Sequence, residues 1–331
     1  MQFFFLQAAI SGLLRQDAAP LSGKLRKNAG HFLPPGRHTM ARVTFMRIVL
    51  CLLMMLVMLL CPQRTGDAAR AALSTWALGV VPSLFPYMVL CRMLSAQLAA
   101  KRFIPSLTAA ALGLIGGSPS GAAVLGGYAG CGRLDRKALL PLCALTGTIS
   151  PMFMLRMAGG WLGGGATAVC LLAAHLLAAA CSAVIASLFV RNRPAENMPV
   201  VPPDGDAPPD EPIRDSVRAI LSVGGCIVFY SVMAEGMTIL LPLPETVCVL
   251  LHALLEAAGG THALACSGFS PAMRALLVSA ACGFSGLSIL SQNALFVRPY
   301  GVSMPELVTL GLLRGALAAL WMAAMMPLWG F

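Results

Sequence analysis

An all-α, polytopic transmembrane helical bundle is the fold class this sequence predicts, arranged as an inverted repeat with two re-entrant helical hairpins. Three observations predict it. The 331 residues are 58% hydrophobic and 11% charged, with a mean hydropathy of +0.80. A water-soluble fold has no place for that much apolar surface. The apolar residues also fall in runs close to the length needed to cross a hydrocarbon layer. Finally, the stretches 108–127 and 276–295 are broken at their centres. The breaks read Gly116-Gly117-Ser118-Pro119-Ser120-Gly121 and Gly283-Phe284-Ser285-Gly286-Leu287-Ser288. Irregular backbone at membrane depth survives only where protein or a wet cavity satisfies the freed groups. Carriers place solute sites at such breaks.

The elements follow in chain order. Residues 1–42 form a basic tail with Arg15, Lys24, Arg26, Lys27 and Arg37 and no credible span. Met40-Ala41-Arg42 before an apolar run reads as a natural start; otherwise 1–39 is a mobile cytoplasmic tail. Residues 43–72 hold the first span, 43–61, whose basic upstream flank keeps the N-terminus cytoplasmic. The first half, 73–190, contains a span at 73–97, the broken segment 104–129, a span at 138–157 interrupted at Ser150-Pro151, a glycine-rich turn at 159–165 and a span at 166–190. Residues 191–215 carry seven prolines and six of the thirteen acids, a composition that predicts an extended linker. The second half, 216–331, contains spans at 216–241, 272–297 and 307–328. Between the first two, after the turn at Pro242-Leu243-Pro244, lies the apolar segment 247–266.

Reading 104–129 and 247–266 as hairpins puts the basic loops at 101–102, 133–137, 191–193 and 298 on one side of the membrane. Seven full spans and two hairpins result, with the halves in opposite orientation. The alternative is nine full spans. Residues 139–147 resemble 276–284, and 80–90 resemble 223–233, which adds weak support for a repeat.

The net charge of +10 reports orientation and anionic headgroups, and no aromatic-interleaved basic stripe points to nucleic acid. Eleven cysteines are scattered through apolar runs without CxxC spacing, so they read as small hydrophobes. HExxH, GxSxG and Walker-type motifs are absent, and no metal, cofactor or enzymatic activity is expected.

The breaks supply the candidate binding residues. In Ser118-Pro119 and Ser150-Pro151 a serine suited to an N-cap precedes a proline suited to the first helical turn. A helix restarted there aims N–H groups and a positive dipole end at the break, a setting for an anionic carboxylate. Gly117, Ser118, Pro119, Ser120 and Gly121 therefore form one candidate wall, and Thr148 with Ser150 a second. Ser285, Ser288, Gln292 and Asn293 form a third, where the amides offer neutral hydrogen bonds. Glu256 is an acid inside an apolar run and expensive there without a partner or cavity. His252, four residues earlier, would share its helix face, so the two pair or Glu256 carries a proton. Arg156 reads as snorkelling, His175 as a helix-contact residue and Glu235 as interfacial. The expected partners are a small-molecule anion and the lipid bilayer, with a homo-oligomer possible.

Taken together, Val80-Val81-Pro82-Ser83-Leu84-Phe85-Pro86, Gly117-Ser118-Pro119-Ser120-Gly121-Ala122, Pro151-Met152-Phe153, Leu254-Leu255-Glu256 with Gly259-Gly260, and 283–288 with Gln292 resemble the bacterial sporulation integral membrane proteins that carry nucleoside-recognition, or Gate, domains. The resemblance covers 43–329. It implies a secondary carrier or facilitator exporting dipicolinic acid from the mother cell across the outer forespore membrane. Related Gate proteins include nucleoside carriers, and a non-transporting scaffold for spore maturation is a further reading. Two departures bear on the substrate. The chain has Thr146-Gly147-Thr148-Ile149-Ser150 where family members often carry asparagine, and Ser118 where an aromatic often precedes the first hairpin's proline.

Overall fold

The computed structural model describes residues 37–100, 105–190 and 211–328, and the chain divides into two units, 1–62 and 63–331. In the first unit the described element is α1 (Arg37–Leu60). It begins inside the expected tail, because nothing between Arg37 and Val43 breaks a helix, and it contains the apolar stretch Ile48–Leu60. Residues 1–36 of the tail lie outside the described residues.

The second unit is all helix, with no strand among the described residues. α2 (Pro62–Ser74) runs through a π-helical turn (Thr75–Val80) into α3 (Val81–Ala100). α4 (Pro105–Gly116) and α5 (Ser120–Gly130) pack against each other across a short break. α6 (Arg136–Thr146) resumes after a second break as α7 (Pro151–Phe153), a π turn (Met154–Ala158) and α8 (Gly159–Trp161). Gly163, Gly164 and Gly165, all at positive φ, turn the chain into α9 (Gly165–Val190).

Element order then repeats. A long helix, α10 (Pro212–Leu240), precedes a mutually packed pair, α11 (Glu245–Leu255) and α12 (Ala257–Ala265). The broken helix α13 (Pro271–Phe284) and α14 (Gly286–Val297) follows, then α15 (Met304–Met325). The two series pack against each other, through the equivalent long helices (α3 with α10, α9 with α15) and through two corresponding cross contacts, α5 against α14 and α12 against the π turn at 154–158. By this order the counterpart of the 116–121 break is Glu256, and the counterpart of the 283–288 break is 147–150.

Among the described residues six helices are long and apolar enough to cross a membrane: Pro62–Ser95, Arg136–Trp161, Gly165–Val190, Pro212–Leu240, Pro271–Tyr300 and Met304–Met325. They match six of the seven expected full spans. The expected linker is cut short at its end, since Pro212–Asp215 is already the first turn of α10, with proline at the helix start. Its residues 191–210 lie outside the described residues.

Large hydrophobics such as Leu78, Leu188, Phe189, Leu221 and Leu320 stand exposed, as lipid-facing residues do. The buried faces are built from small residues that let helices approach closely. Gly224 on α10 lies against the Trp76 indole, whose Nε1 donates to the Ile220 carbonyl at 3.1 Å. A Cβ at Gly224 would meet the ring at 2.6 Å, whereas one at neighbouring Gly225 would meet nothing within 4 Å. Gly224→Ala is therefore expected to destabilise the protein by about 1–3 kcal/mol through overpacking. Gly225→Ala should be neutral, or stabilising by up to about 1 kcal/mol, because it lowers chain entropy without a clash. Thermal unfolding of the two purified variants checks this contrast, and equal losses would deny the Trp76 contact.

Candidate functional site

Four helix breaks meet in one place. At the first, Gly117 has φ 65° and its Cα face lies on Ser150, so that an added Cβ would sit 2.5 Å from the Ser150 nitrogen. Only glycine tolerates both that conformation and that approach. The Ser118 N–H donates to the Thr148 carbonyl at 2.7 Å, tying the first break to the second. At the other two, Gly286 has φ 65° and approaches Ala257, with an added Cβ 2.9 Å from the Ala257 nitrogen. The Ser285 hydroxyl donates to the carbonyls of Cys282 (3.2 Å) and Gly147 (3.3 Å), which joins the two broken long helices.

The second break also shows how freed backbone is satisfied here. The Gly147 N–H returns to Cys143, and the Ile149 N–H donates to Nε2 of buried His175 at 3.2 Å. His175 is thus a helix-contact residue, as expected. Ser150 accepts from the Phe153 N–H at 3.3 Å, with Pro151 at the first helical position. This is the N-cap its sequence predicts.

Ser118 departs from that expectation. The Ser118–Pro119 peptide is cis, Pro119 occupies the N-cap position of α5, and α5 starts at Ser120 without a side-chain cap. The Ser118 hydroxyl instead accepts from the Asn293 amide at 3.0 Å, across 175 residues of sequence. The same local dipeptide serves a different purpose because the tight turn at Gly117 presents Ser118 to α14 rather than to its own helix.

Glu256 also departs from one expectation. It is 2% exposed and its backbone is extended (φ −130°, ψ 123°). Both carboxylate oxygens cap α12, accepting from the N–H groups of Ala258 (2.8 Å) and Gly259. Anionic capping of a helix start is favourable. The extended residue ends α11, so the one-turn relation to His252 is lost, and the two side chains do not pair. His252 instead lies 3.9 Å from Glu235, which forms an ion pair with Arg64 at 2.7 Å.

Ser118, Ser150, Glu256 and Gln292 line one small cavity of about 40 Å³, together with apolar groups including Val80, Phe153, Val223 and Ile289. Ser83, from the first family motif, lines it too, with its hydroxyl turned back to Gly79. The Gln292 carboxamide is 2% exposed, and neither its oxygen nor its nitrogen has a hydrogen-bond partner among the described residues. The Ser120, Thr148 and Ser288 hydroxyls and the Asn293 amide oxygen are likewise buried and unpartnered. Gly121 packs against Gly113 and Thr146. Ser285, Ser288 and Asn293 stand behind the lining rather than in it. Arg156 is exposed and away from the cavity. No Lys, Arg or His lines the cavity, and no cluster of three metal-ligating side chains occurs among the described residues.

Arg314, in the middle of α15 and 2% exposed, is a residue the sequence reading missed. Its Nε donates to the Gly283 carbonyl at 3.1 Å, and its Nη1 to Ala144 at 3.3 Å and, at 3.5 Å, to Cys143. It thereby clamps the C-terminal carbonyl ends of both broken helices, α6 and α13, where cations are favoured. The signal was present as an arginine at the eighth residue of the apolar span 307–328, since an intramembrane charge asks for a role.

These features define a polytopic α-helical membrane protein with a buried polar centre at crossed helix breaks. The chain resembles the sporulation integral membrane protein YlbJ of Bacillus subtilis (strain 168), to which it is 24% identical over 328 residues, covering 81% of this chain and 78% of that protein. No family model matches the chain. No solved structure matches it.

Replacing Arg314 with Met removes the clamp and leaves the Gly283 carbonyl without its donor, at a cost of about 1–3 kcal/mol, while Cys143 and Ala144 keep the Gly147 N–H and the Ser182 hydroxyl. Arg314→Met is expected to lower the unfolding temperature sharply. Arg314→Lys, which offers a point charge but no fork, should restore only part of it. Unchanged unfolding in Arg314→Met would show that the helix ends hold together without it.

Proposed function

We propose that the protein is a secondary carrier or facilitator of a small organic acid in a bacterial membrane. The observation that carries this reading is the crossing of helix breaks beside a cavity lined by Gln292, whose buried carboxamide is left unpartnered. Buried polar groups in folded proteins are nearly always hydrogen-bonded, and those that are not ask for a ligand or water. Discontinuous helices at the centre of a bundle are the common solute-site architecture of carriers.

In this reading α4–α5 and α11–α12 are re-entrant hairpins and the two series of elements form an inverted repeat. The repeated element order, the packing of equivalent helices and the likeness of 139–147 to 276–284 support it. The first turn of α12 separates the central cavity from a second, more polar cavity lined by Arg64, Glu235, His252, Gly259 and His262. Displacement of that turn would join them, which is the geometry alternating access needs. By family resemblance the solute is dipicolinic acid, and the membrane is the outer forespore membrane.

The absence of a basic side chain in the lining supports a second reading, in which an uncharged, nucleoside-like solute is carried. Flux into liposomes containing the purified protein distinguishes the two, with radiolabelled dipicolinate and uridine in parallel. Dipicolinate uptake above protein-free vesicles is the expected result, and uridine uptake alone would favour the second reading. Uptake of neither would remove the carrier role and leave a scaffold. Glu256→Ala, which loses the cap of α12, is expected to lower flux by roughly five- to thirtyfold, in keeping with a lost cap worth about 1–2 kcal/mol. Glu256→Gln keeps one acceptor and should retain part of the flux. Wild-type flux in both variants would place Glu256 outside the transport cycle.

A further inference from the structure

We propose that the cavity selects its solute through a planar edge carrying one hydrogen-bond donor beside one acceptor, and that a carboxyl group meeting Gln292 is bound protonated. This rests on the reading of the cavity as a solute site and names the chemistry of that site. Gln292 is the starting point. A carboxamide has two donor hydrogens and an oxygen acceptor, and here both ends are buried without a hydrogen-bond partner on a residue that lines the cavity. The Cys226 thiol beside it is too weak a partner to occupy either end. The complement of a free carboxamide is another group with donor and acceptor side by side: a protonated carboxyl, a primary amide or a cyclic amide. A carboxylate offers acceptors only and would leave the Gln292 oxygen buried without a donor.

The hydroxyls complete the pattern. Ser118 already accepts from Asn293, and Ser150 already accepts from the Phe153 N–H. In each the O–H hydrogen remains to be given, and both side chains border the cavity. They therefore call for acceptors on the solute, such as a ring nitrogen or a second carboxyl oxygen. Glu256 adds a reason against a doubly charged solute. Its carboxylate borders the same cavity and no cationic side chain offsets it there. Like charges at close range in a site of intermediate dielectric repel by roughly several kcal/mol. The Arg314 charge is engaged with backbone carbonyls at the C-terminal helix ends and does not border the cavity.

The test is binding rather than flux. Purified full-length protein in nanodiscs is titrated calorimetrically with three probes of one shape: pyridine-2,6-dicarboxylic acid, its diamide and its dimethyl ester. The diamide carries the donor–acceptor edge at every pH, and the ester has acceptors only. At neutral pH the diamide is expected to bind at least about tenfold more tightly than the ester, the equivalent of one buried hydrogen bond. Affinity for the free acid should rise as pH falls. In Gln292→Met, shown to be folded by its unfolding temperature, the preference for the diamide should disappear. A diester that matches the diamide on the wild-type protein overturns the inference, as do acid affinity that rises with pH and failure of the diamide to bind. These outcomes separate from the carrier reading. Diamide preference without dipicolinate flux would remove the named solute and keep the inference. Dipicolinate flux with no diamide preference would do the reverse.

Discussion

The structure depends on how backbone is satisfied where helices stop inside an apolar medium. Each interrupted helix leaves N–H groups on one side of its break and carbonyls on the other, with no water to take them up. Here the two kinds of end are handled by different means. The carbonyl ends of α6 and α13 converge on Arg314, a cation held by backbone oxygens rather than by an acid. The amino ends restart beside the central cavity, where Ser150 and Glu256 cap two of them. The break at 147–150 is held by donors and acceptors from three other segments, through Ser118, His175 and Ser285.

That arrangement ties the site to the core. Gly117 and Gly286 allow one break to lie directly on another, and the restarted helices keep their register through those contacts. The cavity is a product of the same crossing. Chains that cross at irregular backbone cannot fill the space between them with regular side-chain packing, so polar groups such as Gln292 are stranded there. A buried group of that kind is costly unless a solute or water meets it, which joins the stability of the centre to its occupancy.

Glu256 shows how one residue serves both ends of the argument. Its extended backbone ends α11, and its carboxylate starts α12. The same residue lines the cavity. The ion pair of Arg64 with Glu235, near His252, lies in the neighbouring cavity instead, so the two acids of this region work in separate environments.

Much of the fold was legible in the residues. Apolar run lengths located the six helices among the described residues that are long and apolar enough to cross a membrane, and Gly, Ser and Pro marked the breaks at 117–119, 147–150 and 285, because backbone preference and transfer from water are local properties. Ser150-Pro151 even announced its cap. The partners were not legible. Two nearly identical Ser-Pro dipeptides took different roles, and Glu256 capped its own helix instead of meeting His252. Arg314 reached carbonyls 31 and 170 residues away. Such pairings depend on which ends of which helices are brought together, and only the packed tertiary structure decides that, since no local propensity records a contact between distant segments.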